Sequence, residues 1–490
     1  METELKFQIP PARSAALRRA MATASARTVR LQALYADTAD QRLAAAGLAL
    51  RLRKEGRVWV QTLKGRGDGL VQRLEHEVRL PTQRGLPELD PRRHDGTAAG
   101  TALQAALQGA GPLQPVYRTD IQRLHRRLRH GGALIEIALD RGHIVAGEQR
   151  LPVYEIEFEL LSGPPAALPA LAARWAARHG LWWDVRTKSE RGFRLALGRA
   201  EVPAAKAEPA RWADQAPPAQ VFKATVQAAL AQALPNLAEL AGDSAGPDHL
   251  HQLRVALRRL RTALALFSPW ADAAEQAAAA ELQAAWRGPF ARLGTARDAD
   301  VLALAWQPRL AAAQAPGFAW PTVGSAVEPG PLLRDPAITV LLLRTLALAM
   351  APAPAVVPAV RPAASLRDAA QALLKPLWRR ARRDARAFAT ALPEQQHATR
   401  KRLKRLRYAL EFLQPALQPK PTRQALAVLR RVLDDLGSLN DLHVAEAAFR
   451  AMAASEPAAW FAAGQAAGLR EAALRRAVKG LAALRRLKAG

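Results

Sequence analysis

The sequence predicts an α+β N-terminal domain followed by an all-α C-terminal domain made of two duplicated helical bundles. Three observations carry this prediction. Apolar and polar residues alternate with a period of two through much of the first 200 residues, as strands with one buried face require. A Pro- and Ala-rich stretch at 201–218 then interrupts the chain and reads as a linker. Beyond it a histidine- and arginine-rich helical segment occurs twice. The expected division is therefore 1–200, the linker at 201–218, and 219–490, with repeats at 219–312 and 363–490.

Taken in order, alternation marks strands at 2–7, 48–53, 58–63, 71–80, 133–139 and 153–160. GLALRLRKEGRVWVQTLKG reads as a hairpin turning at Lys54-Glu55-Gly56. Helical spacing appears around 12–24 and 168–179. From Val221 onward the strand signal gives way to Ala/Leu/Arg-rich helical spacing. HQLRVALRRLRTALALF, from His251, matches HATRKRLKRLRYALEFL, from His397. LGTARDADV, from Leu293, and LGSLNDLHV, from Leu436, follow at similar distances. The intervening Pro/Ala/Gly-rich stretch, 311–362, reads as a long irregular connection.

Composition narrows the function classes. The 71 Lys+Arg residues against 43 Asp+Glu leave a net charge of +28, which favours a polyanionic partner. With no cysteine, disulfides and cysteinyl zinc or iron–sulfur sites are excluded. Aromatic residues are only 5% of the chain and no recognised DNA or RNA motif appears, so specific nucleic-acid recognition by base stacking is disfavoured. The apolar run 338–350 is interrupted by Arg344 and too short to span a bilayer. A basic amphipathic helix with Trp or Phe anchors is also missing, so no membrane partner is expected. METELKFQIP lacks the pattern of a secretory signal, and a soluble cytoplasmic protein is the expectation. Composition leaves the oligomeric state open.

The N-terminal strands share an inverted pattern. In ETELK, Glu2, Glu4 and Lys6 fall on one strand face, as do Arg51 with Arg53, Glu75 with Glu77, and Glu155, Glu157 and Glu159 in YEIEFEL. Gln61 with the following Thr62 and Lys64 pair is expected on such a face, while Leu52, Leu63, Ile156 and Phe158 supply the apolar one. One such strand is an ordinary solvated face. Several closing into a barrel would bring acids and bases together in its lumen. Carboxylate oxygens suit hard divalent cations, and Arg and Lys suit phosphate oxygens, the combination metal-assisted phosphoryl transfer needs.

ETELK, the RLR and TLK strands, RLEHEVRL, IEIALD, YEIEFELLSG and the late KSERG together resemble the CYTH family of triphosphate tunnel metalloenzymes, over about the first 200 residues. The resemblance implies an eight-stranded antiparallel tunnel that hydrolyses inorganic triphosphate, or a related triphosphate, with Mg²⁺ or Mn²⁺. It implies that Glu2, Glu4, Glu157 and Glu159 hold metal, with Asp140 and Glu155 as contributors. Lys6, Arg51, Arg53, Lys64, Arg123, Lys188 and Arg191 would hold phosphates, with Arg118 and Arg126 as alternatives to Arg123. Glu75 and Glu77 would position those cations or the attacking water.

In the C-terminal half, His251, Arg254, Arg258 and Arg261 share a helix face, and His397, Arg400, Lys404 and Arg407 repeat the spacing. Leu253, Leu257, Leu260 and Leu264 form the buried stripe of the first helix, matched by Leu403, Leu406, Leu410 and Leu413. Joined about a pseudo-twofold axis, the two faces would form a basic groove that gains from counterion release on a linear polyanion. This half resembles the CHAD domain, a conserved-histidine α-helical domain, through HxxRVxxRRLR, HxxRKxxKRLRYxxEF and the downstream Arg297-Asp298 and Asn440-Asp441 pairs. The resemblance implies polyphosphate binding by the eight residues of the two faces, with Asp298, Asp300 and Asp441 orienting the cations. Two readings remain: a triphosphatase that recruits polyphosphate, and a non-catalytic polyphosphate binder, with nucleic-acid binding a lesser third.

Overall fold

The computed structural model describes residues 2–67, 70–83, 85–199, 202–320, 328–352 and 365–487, without the side chains of 66, 247 and 295–301. Nine strands are formed among the described residues: β1 (Glu2–Gln8), β2 (Arg27–Thr38), β3 (Ala49–Glu55), β4 (Val58–Arg66), β5 (Gln72–Leu80), β6 (Leu113–His130), β7 (Ala133–Ala146), β8 (Gln149–Ser162) and β9 (Trp182–Trp183). They lie in the order β5-β4-β3-β2-β6-β7-β8-β1, and β1 also pairs with β5, so eight antiparallel strands close into a barrel with β9 added on β1. The expected tunnel is therefore present. Closure leaves the barrel strands no free edge.

Alternation decides what faces in and out. Leu5, Phe7, Ile156 and Phe158 point outward and are almost wholly buried. Phe158 packs edge-on to Phe7 and to Trp175 of the helix Ala167–His179. On another wall, Leu50 and Leu63 pack with Leu103 of the helix Ala98–Leu107. Gln61 belongs to this outer layer. Its amide bonds the Asp90 carbonyl at 2.7 Å and the buried His94 at 3.0 Å, so it does not share a face with Thr62 and Lys64; adjacent strand residues point to opposite sides.

One end of the lumen is apolar. Leu31, Ala33, Tyr35, Tyr117, Ile121, Ile144 and Val153 form a buried cluster with Phe193 of the helix Lys188–Leu197. Tyr117 stacks on Tyr35 with centroids 4.5 Å apart and meets Phe193 edge-on at 5.2 Å. Thr187 caps that helix through a capping box with Glu190.

The chain forms two compact units, Met1–Ala207 with Gln227–Ala256 and Pro329–Pro352, and Glu208–Val226 with Leu257–Glu328 and Ala353–Gly490. The first unit thus includes segments beyond the linker. One of them corrects the sequence expectation. Within the stretch read as an irregular connection, Pro329–Leu333 and Pro336–Met350 are helical, and the latter packs on the helix Ala167–His179. The helix Pro336–Met350 is buried around most of its circumference, which leaves no amphipathic period to read. The second unit is built from helices that include Ala273–Ala285, Arg287–Ala312, Leu366–Ala387, Pro393–Leu413, Pro419–Met452 and Ala459–Arg486. Leu257, Leu260, Leu264, Leu403, Leu406, Leu410 and Leu413 are all buried, as the stripe requires. No helix among the described residues is long and apolar enough to cross a membrane.

Candidate functional site

The lumen gathers the charges that the strands present at alternate positions. β1 and β8 set Glu4 opposite Glu159, Lys6 opposite Glu157 and Gln8 opposite Glu155, while β4 and β5 set Lys64 opposite Glu75 and Thr62 opposite Glu77. Two acid–base centres result. In the first, the Lys64 Nζ lies 2.7 Å from Glu2 and 3.0 Å from Glu75. Burial opposes its charge, but Glu2, Glu4 and Glu75 outweigh burial and raise its pKa. Glu77 accepts from Thr62 and from Arg53, both at 3.1 Å. Arg73, a lumen residue that the motifs do not mark, pairs with Glu4 at 2.8 Å.

The second centre surrounds Lys188, whose Nζ lies 2.6 Å from Asp140, 2.5 Å from Glu155 and 2.8 Å from Glu157. Arg123 makes a two-pronged contact with Asp140, both bonds 2.7 Å, and reaches Glu157 at 2.5 Å. Arg191 pairs with Glu155. Burial alone would raise the Glu157 carboxyl; Lys188 and Arg123 hold it well below the usual range. The geometry also separates the three candidate arginines. Arg123 faces the lumen, Arg126 lies over the Trp175 ring on the outer side at 5.7 Å, and Arg118 is exposed. His125 and Glu136, 3.5 Å apart, are further lumen residues that alternation alone did not single out.

Two features mark a place for a ligand. Arg51 donates one bond to the Tyr35 hydroxyl at 3.0 Å, but its Nε and Nη2, with the Nε of Arg53, are buried without an acceptor among the described residues. Buried donors of this kind need an acceptor, and phosphate oxygens supply several. Conversely, Glu2 shares the single Lys64 ammonium with Glu75, and Glu159 has no ion-pair partner among the described residues. Burial raises both carboxyls, Glu159 to about 7 with Glu2 adding to the effect, while Lys64 opposes it. The all-oxygen donor set fits a hard divalent cation. Asp140, Glu155 and Glu157 also place carboxylate oxygens within 4.8 Å of one another, although Lys188 already compensates them.

In the helical region, His251, Arg254, Arg258 and Arg261 stand on the helix Pro247–Phe267, and His397, Arg400, Lys404 and Arg407 on Pro393–Leu413. Within the second unit, Arg258 bears on both Arg400 and Lys404, so cations of the two repeats meet. Arg258 and Arg261 lie over the Phe290 ring at 5.7 and 5.3 Å. The Nε atoms of Arg261, Arg400 and Arg407 are buried without an acceptor among the described residues. Burial, then Arg258, Arg400 and Arg407, push the Lys404 amine down to about 7, with Asp441 opposing. His397 Nδ1 is 2.6 Å from Asn440 Oδ1, so Nδ1 is the donor. The side chains of Arg297, Asp298 and Asp300 lie outside the described residues.

A closed barrel whose lumen interleaves carboxylates with lysine and arginine, followed by helices with a duplicated basic face, defines a tunnel protein with a helical extension. Residues 1–193 match the CYTH domain and residues 224–450 the CHAD domain, so the chain is a CYTH domain followed by a CHAD domain. The inorganic triphosphatase of Haemophilus influenzae is 31% identical over 172 residues, which are 33% of this chain and 44% of that protein, less than half its length. Among solved structures, the CHAD domain of the plant Ricinus communis is 26% identical, covering 59% of this chain and 99% of that one with a TM-score of 0.45. A Hippeastrum protein reported to have a dominant triphosphatase activity is 22% identical, covering 41% of this chain and 98% of that one with a TM-score of 0.29.

Proposed function

We propose that the barrel hydrolyses inorganic triphosphate, or a related triphosphate, and that the basic helical face binds polyphosphate. The unpartnered donors of Arg51 and Arg53 inside a lumen otherwise rich in ion pairs are the observation that carries the first half. They, with Lys6, Lys64, Arg123, Lys188 and Arg191, would hold the phosphate chain. Glu75 and Glu77, bonded to Lys64, Arg53 and Thr62, fix those cations and leave oxygens to orient a water for attack on the terminal phosphorus. The P–O bond to the diphosphate leaving group then breaks. Positioning and charge stabilisation do most of the work in such a reaction.

Glu2, Glu4 and Glu159 are the residues that would hold Mg²⁺ or Mn²⁺, with Glu157, Asp140 and Glu155 contributing as Lys188 moves onto phosphate. When bound, a divalent cation there supplies neutralisation of phosphate oxygens. Phosphate release from tripolyphosphate, ATP and long-chain polyphosphate, measured with Mg²⁺, with Mn²⁺ and with chelator, tests the enzyme. Metal-dependent release from tripolyphosphate is expected; no release from any substrate in either metal overturns it. For the helical face, the double variant Arg258→Ala with Lys404→Ala is expected to weaken polyphosphate binding in calorimetric titration and leave triphosphate turnover unchanged. Equal binding by the variant counts against the face, and equal or tighter affinity for DNA at physiological salt favours a nucleic-acid partner instead.

A further inference from the structure

Residues of the helical region reach into the support of the tunnel. Glu239, on the helix Pro218–Ala241, is only 3% exposed. It accepts two bonds from Arg194, at 2.9 and 2.7 Å, and one from Ser244 at 2.7 Å, and its carboxylate lies 3.8 Å from Arg186. Arg186 in turn grips Asp184 at 2.8 and 2.9 Å and donates to the Ser244 hydroxyl at 2.9 Å. Its guanidinium abuts Gly242. A Cβ there would come within 2.2 Å of Arg186 Nη2, so this crossing requires glycine unless the arginine leaves its partners.

Both arginines belong to the segment that supplies the lumen. The Arg186 carbonyl accepts from Lys6 Nζ, and the Lys6 carbonyl accepts from the Asp184 amide at 3.2 Å, so Lys6 is tied to this segment twice. Arg194 anchors the last turn of the helix Lys188–Leu197, whose first turn carries Lys188 and Arg191. We infer that Glu239 is a positioning residue for the tunnel, acting with Ser244 and Gly242: it sets Lys6, Lys188 and Arg191 through Arg186 and Arg194 without touching substrate. Glu239, Gly242 and Ser244 fall within the CHAD match, whereas Lys6, Lys188 and Arg191 fall within the CYTH match. The helical region is thereby part of the tunnel's phosphate grip as well as a separate polyanion binder. This rests on the triphosphatase reading of the lumen.

Full-length Glu239→Gln and Gly242→Ala, each compared with the parent chain, test it. Glu239→Gln keeps the shape and removes the charge; Gly242→Ala acts on Arg186 from outside the carboxylate. Tripolyphosphate turnover in Mg²⁺ gives KM and kcat, calorimetry gives tripolyphosphate affinity, and thermal melting reports the fold. A rise of about tenfold or more in KM and in the dissociation constant is expected in both variants, with melting and long-chain polyphosphate binding retained. A fall in kcat alone, in step with loss of folded protein, shows a merely structural contact and overturns the inference. So does an unchanged KM and affinity in both variants while the parent turns over. A parent chain that neither binds nor hydrolyses tripolyphosphate defeats the triphosphatase reading itself.

Discussion

Single residues decide whether the lumen holds together, and Lys188 is the clearest case. It is the shared counter-charge of Asp140, Glu155 and Glu157, and the last two of these share one strand face in the sequence pattern, which gives no sign of which cation answers them. Its pKa lies above the usual lysine range and that of Glu157 well below the usual carboxylate range. The lysine's contribution is therefore fully present below its unfolded value and is lost only as pH rises through the raised one. The glutamate's is present above its unfolded value and is lost as pH falls through the depressed one. Lys188→Met leaves three buried carboxylates with only Arg123 and Arg191 as ion-pair partners among the described residues, one negative charge in excess, with an expected loss of about 3–5 kcal/mol near neutral pH. Because the carboxyls then take up protons more readily folded than unfolded, the variant should regain stability relative to the parent as pH falls towards 4, measured by denaturant unfolding of the first unit. Gly192 is a steric case. A Cβ would sit 2.2 Å from the Tyr117 ring, which is itself wedged between Tyr35 and Phe193. Gly192→Ala should destabilise by about 1–3 kcal/mol in the same assay.

Elements were legible where one face was apolar and the other charged, and opaque where that contrast failed. β1, β3, β4, β5, β7 and β8 announced themselves by alternation, and the lumen acids and bases on them followed directly. β2 and β6 did not. In RTVRLQALYADT the lumen face carries Leu31, Ala33 and Tyr35, because it lines the apolar end of the barrel, while the outer face carries Arg30 and Gln32 before Leu34 and Ala36, so neither face shows a polar–apolar contrast. In β6 the run RLHRRLRH puts arginine on both faces, Arg123 inward and Arg126 outward, so charge marks no side. Arg73 stands in phase with Glu75 and Glu77, but its partner Glu4 lies on β1, and only closure of the barrel between β1 and β5 brings the two together. KSERG was recognisable as a motif, but not as a helix that closes one end of the lumen, which depends on Phe193 meeting Tyr117. The capping box at Thr187 and Glu190 is what starts this ten-residue helix at Lys188. Thr187→Ala is expected to lower stability by about 1 kcal/mol and to raise KM for tripolyphosphate, because fraying begins at the residue that reaches the acids.

Across the whole molecule the net charge of +28 gave a direction but no place, and the structure concentrates part of it where two repeats meet. There Lys404 faces Arg258, Arg400 and Arg407, with Asp441 as the opposing acid, and its pKa falls from 10.5 to about 7. The consequence for folding has a definite sign. Between these two values the unfolded chain keeps a proton that the folded one gives up, so Lys404 makes the ligand-free fold more stable as pH rises through that window. Binding runs the other way. A polyphosphate chain laid on the face brings negative charge to the amine, restores its pKa and draws in a proton. At pH 8 binding should therefore take up as much as one proton, and near pH 6, where the amine is already charged, none. Affinity should fall as pH rises above 7, by up to about tenfold per unit while the bound amine stays protonated. Calorimetric titration with long-chain polyphosphate in two buffers of different ionisation enthalpy measures the uptake directly. In Lys404→Met the uptake should vanish and the pH dependence flatten, while the steep loss of affinity with added salt, carried by the permanently charged arginines, should persist. Uptake retained by that variant would overturn the assignment of the proton to Lys404.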